Sequence, residues 1–287
     1  MEFWRKKEVQ GTLLLLPYLL VFTLFVLVPL VQTVVGSFMG DGGIFANYLA
    51  AFAMPTFRKA LAHTVLYTVL ASVLVIVLAF PMAFLMHRVL GRYKKLRYLF
   101  SLPYASGMMG LAMIWLMFFN PQNGLVNKLL PFFGVGSQNW LQSPVLAFLS
   151  VLTLVFWRGY AFTLFNCLQA LELQPRELYE FAALAGANTR QAFVHITLPR
   201  LLPMMMYIIP TAVVSVLTTF EPIFLFNYAG MPLDATNTLV NEFYRQANLG
   251  RPGIACAIAV IILLPIMGCC YAYVRYIFGG KAAKHHA

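Results

Sequence analysis

Charge is missing from long stretches of this chain. No Asp, Glu, Lys or Arg falls between Glu8 and Asp41, Lys59 and Arg88, Arg97 and Lys128, or Arg200 and Glu221. Each gap can hold the roughly 18 to 20 apolar residues that a membrane-crossing helix needs. Hydrocarbon offers no water to unpaired amides, so such runs must close their hydrogen bonds internally, as helix. Only 10% of the residues are charged, against about 25% in a soluble domain.

These runs predict an all-α polytopic membrane protein with six transmembrane helices, near 11–35, 61–86, 98–119, 144–168, 201–226 and 254–278. The fifth is bounded by Pro203 and Pro222 and interrupted by Pro210. A single transmembrane domain then covers 11–278, with a polar loop at 171–203. Residues 1–10 form an N-terminal segment and 279–287 a tail. The start resembles a signal peptide, with Arg5, Lys6 and Lys7 before an apolar run. That run extends from Gly11 to Val35, longer than a signal core of about 7 to 15 residues, so it reads as a retained first span.

Basic residues set the orientation. Arg5, Lys6, Lys7, Arg88, Arg92, Lys94, Lys95, Arg97, Arg176, Arg190, Arg200, Lys281 and Lys284 fall on one side of the predicted topology. Arg58, Lys59, Lys128, Arg245 and Arg251 fall on the other. The richer side is expected in the cytoplasm, with both termini. This pattern explains the net charge of +11 without a nucleic-acid partner. Cys167, Cys256, Cys269 and Cys270 lie in or beside spans without metal-ligand spacing, and read as small apolar packing residues. The histidines are scattered, so no metal site is expected.

The loop 171–203 is too polar for a span and too regular for a slack connection. Leu178, Phe181, Ala182 and Ala185 fall at helical spacing and form one apolar stripe. Pro175 suits a first turn, and Glu177 complements the start of the helix dipole. Gly186 stands where a helix end needs a left-handed residue. Asn188 and Gln191 have capping-box spacing for a second helix, expected to run to Leu198 and to end or bend at Pro199. Helices that lie on a bilayer usually carry a Lys/Arg-rich polar face. Mixed charge and small alanines suit docking into a protein groove instead.

Glu180-Phe181-Ala182-Ala183, Gly186-Ala187 and Ile196-Thr197-Leu198-Pro199 resemble the "EAA" signature of ATP-binding-cassette importer permeases. The likeness is to their carbohydrate-uptake branch, the maltose/glycerol-phosphate type. It extends through "LPYLLVFTLFVLVPL", "IWLMFFNPQNGLVNKLL", "FWRGYAF" and "NYAGMPLDATNTLVNEFYRQA". Three positions depart: Phe181 replaces an alanine, Ala185 an aspartate, and Ala229-Gly230-Met231-Pro232 stands where many relatives carry G-G-P.

The resemblance implies that the loop is a coupling helix inserting into a separate cytoplasmic ATPase. Glu180 would make charge contacts, Ala182 and Ala183 would permit close approach, Gly186 would make the turn, and Leu198-Pro199 would fix the exit. The implied partners are a second homologous permease forming a heterodimer, two ABC ATPase subunits, an extracytoplasmic solute-binding protein and membrane lipid. The chain has no G-x-x-x-x-G-K-[ST] phosphate loop. No cofactor is expected in it, and ATP and Mg²⁺ would be bound by the partner ATPase. A bacterial or archaeal plasma (inner) membrane is the implied location.

Ionisable groups within spans are functional candidates by default. Arg158 and Glu221 qualify, with His63 near a span end. Arg158 lies about 20 Å from the outer end of the fourth predicted span, at about 1.5 Å per residue, which puts it in the inner half. Trp115, Trp157, Tyr160 and Asn166 join the solute-path candidates as aromatic or polar surfaces for a sugar. A self-contained channel or carrier would need relay acids, histidines or repeats. A membrane enzyme would need clustered ligands or acid–base pairs. The sequence supplies neither set.

Overall fold

The apolar runs do close on themselves as helix. The computed structural model describes residues 7–40, 42–89, 96–228 and 236–284, and helix is the only regular structure within them. Five helices are long and apolar enough to cross a membrane: Leu14–Phe38, Pro55–His87, Pro144–Glu172, Arg190–Phe226 and Pro252–Tyr276. These are spans one, two, four, five and six. The stretch expected as one helix at 98–119 is instead two shorter helices, Leu96–Ala105 and Met108–Phe118, at the place of the expected span three. Pro103 sits in the first. The Ser106 hydroxyl donates to the Leu102 carbonyl at 3.0 Å, and Gly107, extended at φ −63° and ψ 141°, starts the second.

Prolines bend the expected boundaries elsewhere. Pro29 and Pro199 each follow a π-helical turn, Thr23–Leu27 and Phe193–Thr197. A proline inside a helix lacks an N–H and presses on the carbonyl four residues back; a widened turn accommodates both defects. Hence the helix after Gly186 does not stop at Leu198. It continues through Pro199, Pro203 and Pro210 into span five. The interruption falls instead at Thr218–Phe220. There the Thr218 and Thr219 hydroxyls donate back to the carbonyls of Val214 and Ser215, at 2.9 and 3.0 Å.

Spans two and four make the most extensive helix pair. Ala71, Val75, Ala79 and Ala83 recur every fourth residue and are buried. Small residues let membrane helices approach closely. A Cβ on Gly159 of span four would lie 3.2 Å from a Val75 methyl, Cγ2. Span one packs beside span six, where a Cβ on Gly36 would lie 3.1 Å from Cys256 Sγ. The rest of span one turns leucines, valines and phenylalanines outward, surfaces that lipid or another apolar protein can cover.

Three buried clusters fill the bundle, a small one of Ala51, Phe57, Ala60, Leu239 and Ile258 and two larger ones. One of the larger gathers Tyr67, Ala71, Ala112, Phe119, Val151, Val155, Val216 and Phe226. The other gathers Ala79, Ala83, Leu164, Cys167, Leu171, Leu201 and Ile208. The basic residues at 92, 94 and 95, the segment 229–232 and the chain ends at 1–6 and 285–287 lie outside the described residues.

Candidate functional site

Two features bring chemistry-bearing residues together: a helical knob before span five, and a cavity at the waist of the bundle. The knob begins at the helix Arg176–Leu184, whose N-cap is Pro175 and whose first turn carries Glu177. It closes at Gly186, which is left-handed at φ +79°. The Gly186 N–H donates to Ala183 at 3.0 Å and the Ala187 N–H to Ala182 at 2.9 Å. These crossed bonds are a Schellman motif, which pairs the carbonyls a helix end leaves free.

The next helix starts at once. The Asn188 N–H donates to Gln191 Oε1 at 2.8 Å, and the Gln191 N–H donates to Asn188 Oδ1 at 2.9 Å. Both halves of the expected capping box are therefore made. Phe193 then packs its ring on Phe84 of span two, with centroids 4.7 Å apart. The Tyr179 hydroxyl donates to Gln174 Oε1 and pairs with Thr197 Oγ1. Thr197 is buried. The knob is thus a pre-folded unit fastened to the bundle.

Its outer face differs from the expected stripe. Leu178 and Ala182 are half-buried, as are Ala187, Ile196 and Leu198. Phe181 and Ala185 point outward instead, Phe181 being 67% exposed and its neighbour Leu184 85% exposed. The inward side is completed by Tyr179, whose hydroxyl has bonding partners there that Phe181 lacks. Glu180, Ala183, Gly186 and Pro199 are also exposed. The knob therefore presents an apolar tip beside a carboxylate, while its inner face is already occupied.

The cavity, of about 130 Å³ and partly open, lies among spans two, three, four and five. It lies between the two larger core clusters along spans two, four and five. Its wall includes Ser72, Tyr104, Arg158, Phe162, Thr211 and Ser215. Tyr104 precedes the break in span three, so irregular backbone occurs beside a cavity, where it is tolerated. Arg158 stands fourteen residues from each end of the helix Pro144–Glu172. It is thus at the middle of that helix, which runs four residues past the predicted end at 168.

The other solute-path candidates lie elsewhere. Trp115 and Trp157 meet edge to face at 5.5 Å, and Trp115 also packs, tilted, against Phe119 at 5.1 Å. Tyr160 packs against the second of the larger core clusters. Asn166 donates to the Phe162 carbonyl within its own helix at 2.8 Å. Glu221 opens a new helix, Glu221–Tyr228, where a carboxylate complements the helix dipole. Of the six candidates, Arg158 alone lines the cavity.

Two residues at the end of the bundle opposite the knob escape a reading of the sequence. Asn127 is buried, and its amide donates to the carbonyls of Pro121 and Gln138 at 2.9 Å each. Its Oδ1 accepts from the Gln138 N–H at 3.1 Å and from Trp140 Nε1 at 2.8 Å. The N-x₁₀-Q-x-W spacing is a weak local signal for this bracket. Glu242 is 0% exposed, on the helix Leu239–Asn248. It accepts from Asn237 Nδ2 at 2.8 Å, Gln246 Nε2 at 2.7 Å and Arg245 at 2.8 Å. Its i+3 and i+4 partners are visible in the sequence, but its burial is not.

The comparisons with known proteins follow the same outline. The family described as "Binding-protein-dependent transport system inner membrane component" matches residues 76–277. The arabinooligosaccharides transport system permease protein AraP of Bacillus subtilis (strain 168) is 27% identical over 275 residues, covering 93% of this chain and 88% of the relative. The trehalose/maltose transport system permease protein MalF of Thermococcus litoralis is 27% identical, covering 92% of each. A crystal structure of a bacterial alginate ABC transporter, in complex with an alginate pentasaccharide-bound periplasmic protein, contains a chain of the same fold. It aligns with a TM-score of 0.81 at 21% identity, over 95% of this chain and 96% of that one.

Proposed function

The chain belongs to the binding-protein-dependent transport system inner membrane component family, and from this premise we propose how it divides labour with its partners. It is a multi-pass membrane permease subunit of an ABC importer. In our reading its cargo is a sugar or oligosaccharide, supported by relatives named for arabinooligosaccharides and for trehalose/maltose. The knob faces the cytoplasm with both termini. It seats in one of two ATPase subunits, which bind ATP and Mg²⁺. A second, homologous permease completes the pathway, and an extracytoplasmic solute-binding protein delivers the cargo at the Asn127 and Glu242 end.

The observation that carries this reading is the knob itself. Both of its helix ends at the Gly186 turn are satisfied internally, its inner face is fastened through Tyr179 and Phe193, and its exposed tip is apolar. A rigid apolar tip fits a pre-shaped protein groove, because little ordering entropy is lost on docking. Glu180, Ala182 and Ala183 lie on the same short helix, and Gly186 and Ala187 make its exit turn. ATPase movement would then reach span five through Ile196, Leu198 and Pro199.

Reconstitution tests this reading. The chain should co-purify with an ABC ATPase and a second permease, and the complex in proteoliposomes should hydrolyse ATP faster when loaded binding protein is added. Solute uptake in the absence of any ATPase subunit would overturn the proposal.

A further inference from the structure

The waist cavity holds a cation without a counter-charge. Arg158 Nε is buried there without a hydrogen-bond partner, and so is Ser72 Oγ on the facing span. No Asp or Glu is among the residues lining the cavity. Arg158 stands at the centre of its helix, about 21 Å along the axis from either end. An intramembrane cation is costly unless it lines a cavity or meets a partner.

We infer that this cavity is a binding site for an anionic group on the transported solute: a carboxylate, sulfonate or phosphate carried by a sugar. The inference rests on the permease reading above and narrows its substrate class. A guanidinium offers a planar fork of donors matched to two oxygens of such a group. The Ser72 hydroxyl supplies a further donor. Tyr104 and Phe162, with ring centroids 4.8 Å apart, provide aromatic surface for the sugar ring. The Thr211 hydroxyl donates to the Tyr207 carbonyl at 2.7 Å, so it presents lone pairs to sugar hydroxyls.

A neutral sugar needs only hydroxyls and amides, which would line the wall at a lower desolvation cost than a guanidinium.

The test uses the purified complete transporter in phosphatidylcholine nanodiscs, with binding read from intrinsic tryptophan fluorescence. Glucuronate and glucose 6-phosphate are compared with glucose. At least one charged probe should bind about tenfold or more tightly than glucose, the scale of a charge-assisted pair. Arg158→Gln should bring that probe down to the glucose level, and Arg158→Lys should restore part of the difference. Equal binding of charged and neutral probes overturns the inference, as does a preference that survives Arg158→Gln. Competition by added phosphatidylglycerol would make a lipid headgroup the occupant and also overturn it. Recovery of the Arg158→Gln protein by neutralising an acid on the second permease would make the partner the counter-charge, and the inference would fall with it. ATPase co-purification and ATP turnover of the unmodified complex are measured on the same discs. Their failure sinks the permease reading; loss of charge preference with both intact sinks only the cavity assignment.

Discussion

The hydroxyl of Tyr179 lies 2.8 Å from Oγ1 of Thr197, tying the first helix of the knob to the π-helical turn that leads into span five. Because the tyrosine proton goes to Gln174 Oε1, Thr197 must be the donor in this pair. The bond joins the knob to the start of span five. Tyr179→Phe and Thr197→Val should each lower solute moved per ATP several-fold while leaving complex assembly intact. The double variant should be no worse than the worse single one, with a coupling of about 1 kcal/mol in a stability cycle. Strictly additive losses would show that the two hydroxyls act separately.

Gly186 is required for conformation and not for space. It is left-handed at φ +79°, and a Cβ there would meet nothing within 4 Å. Gly186→Ala should destabilise the knob by about 1 to 2 kcal/mol, the cost of a left-handed L-residue. Gly186→Asn should cost less, since Asn visits that region more readily, and Gly186→Val more. Gly186→Glu should uncouple ATP hydrolysis from transport. Intact uptake in Gly186→Glu vesicles would refute the coupling role.

Phe181 and Leu184 make the exposed tip, so their substitution should spare the fold and weaken docking. Phe181→Ser and Leu184→Ser should leave thermal stability of the isolated chain within about 0.5 kcal/mol of the parent. Affinity for the ATPase should fall about tenfold for either, as expected for an apolar anchor. A shift in the isolated chain's stability with unchanged ATPase affinity would make them packing residues.

Asn127 makes four hydrogen bonds from one buried amide. Asn127→Leu leaves the Gln138 N–H and Trp140 Nε1 without their acceptor and should destabilise the surrounding segment by about 2 to 4 kcal/mol. The neighbouring Gly124 tolerates no side chain: a Cβ would stand 2.3 Å from the Asn120 carbonyl and 2.4 Å from that of Phe118. Gly124→Ala should therefore expose the segment to proteolysis. Protease resistance equal to the parent's would contradict the packing described.

Glu242 gathers Asn237, Arg245 and Gln246, and Thr56 donates to it from the start of span two at 3.2 Å. Removing one member of a buried charged network leaves the others unpaired. Glu242→Ala should cost about 3 to 5 kcal/mol, and Glu242→Gln less, because one oxygen remains an acceptor. Equal melting of the two variants would indicate that charge and hydrogen bonding contribute nothing here.

The legible parts of this molecule are those whose physics is local. The charge-free runs mark the helices, and the spacings from Glu177 to Gln191 mark two helix ends, because capping partners lie within a few residues. What escapes depends on distant partners or on backbone accommodation. An unbroken apolar run looks the same whether span three is one helix or two. Pro199 marks a stop in isolation, yet a widened turn just before it lets the helix pass. Glu242 looks like a loop acid because Thr56 is 186 residues away in sequence. Arg158 stands out as a charge in a span, but the cavity it lines is built with Ser72 and Thr211 from other helices.

The uninterrupted passage from Arg190 through the π-helical turn into span five has a mechanical consequence. Thr211, on the cavity wall, stands fourteen residues beyond Thr197 on the same helix. At about 1.5 Å per residue that is a lever arm of about 21 Å. A tilt of about 10° pivoting at the knob would swing the wall by about 4 Å on that arm, close to the width of a sugar ring. In the proposed importer the docking knob and the cavity wall would be two ends of one continuous helix, so a stroke would cross no joint between them.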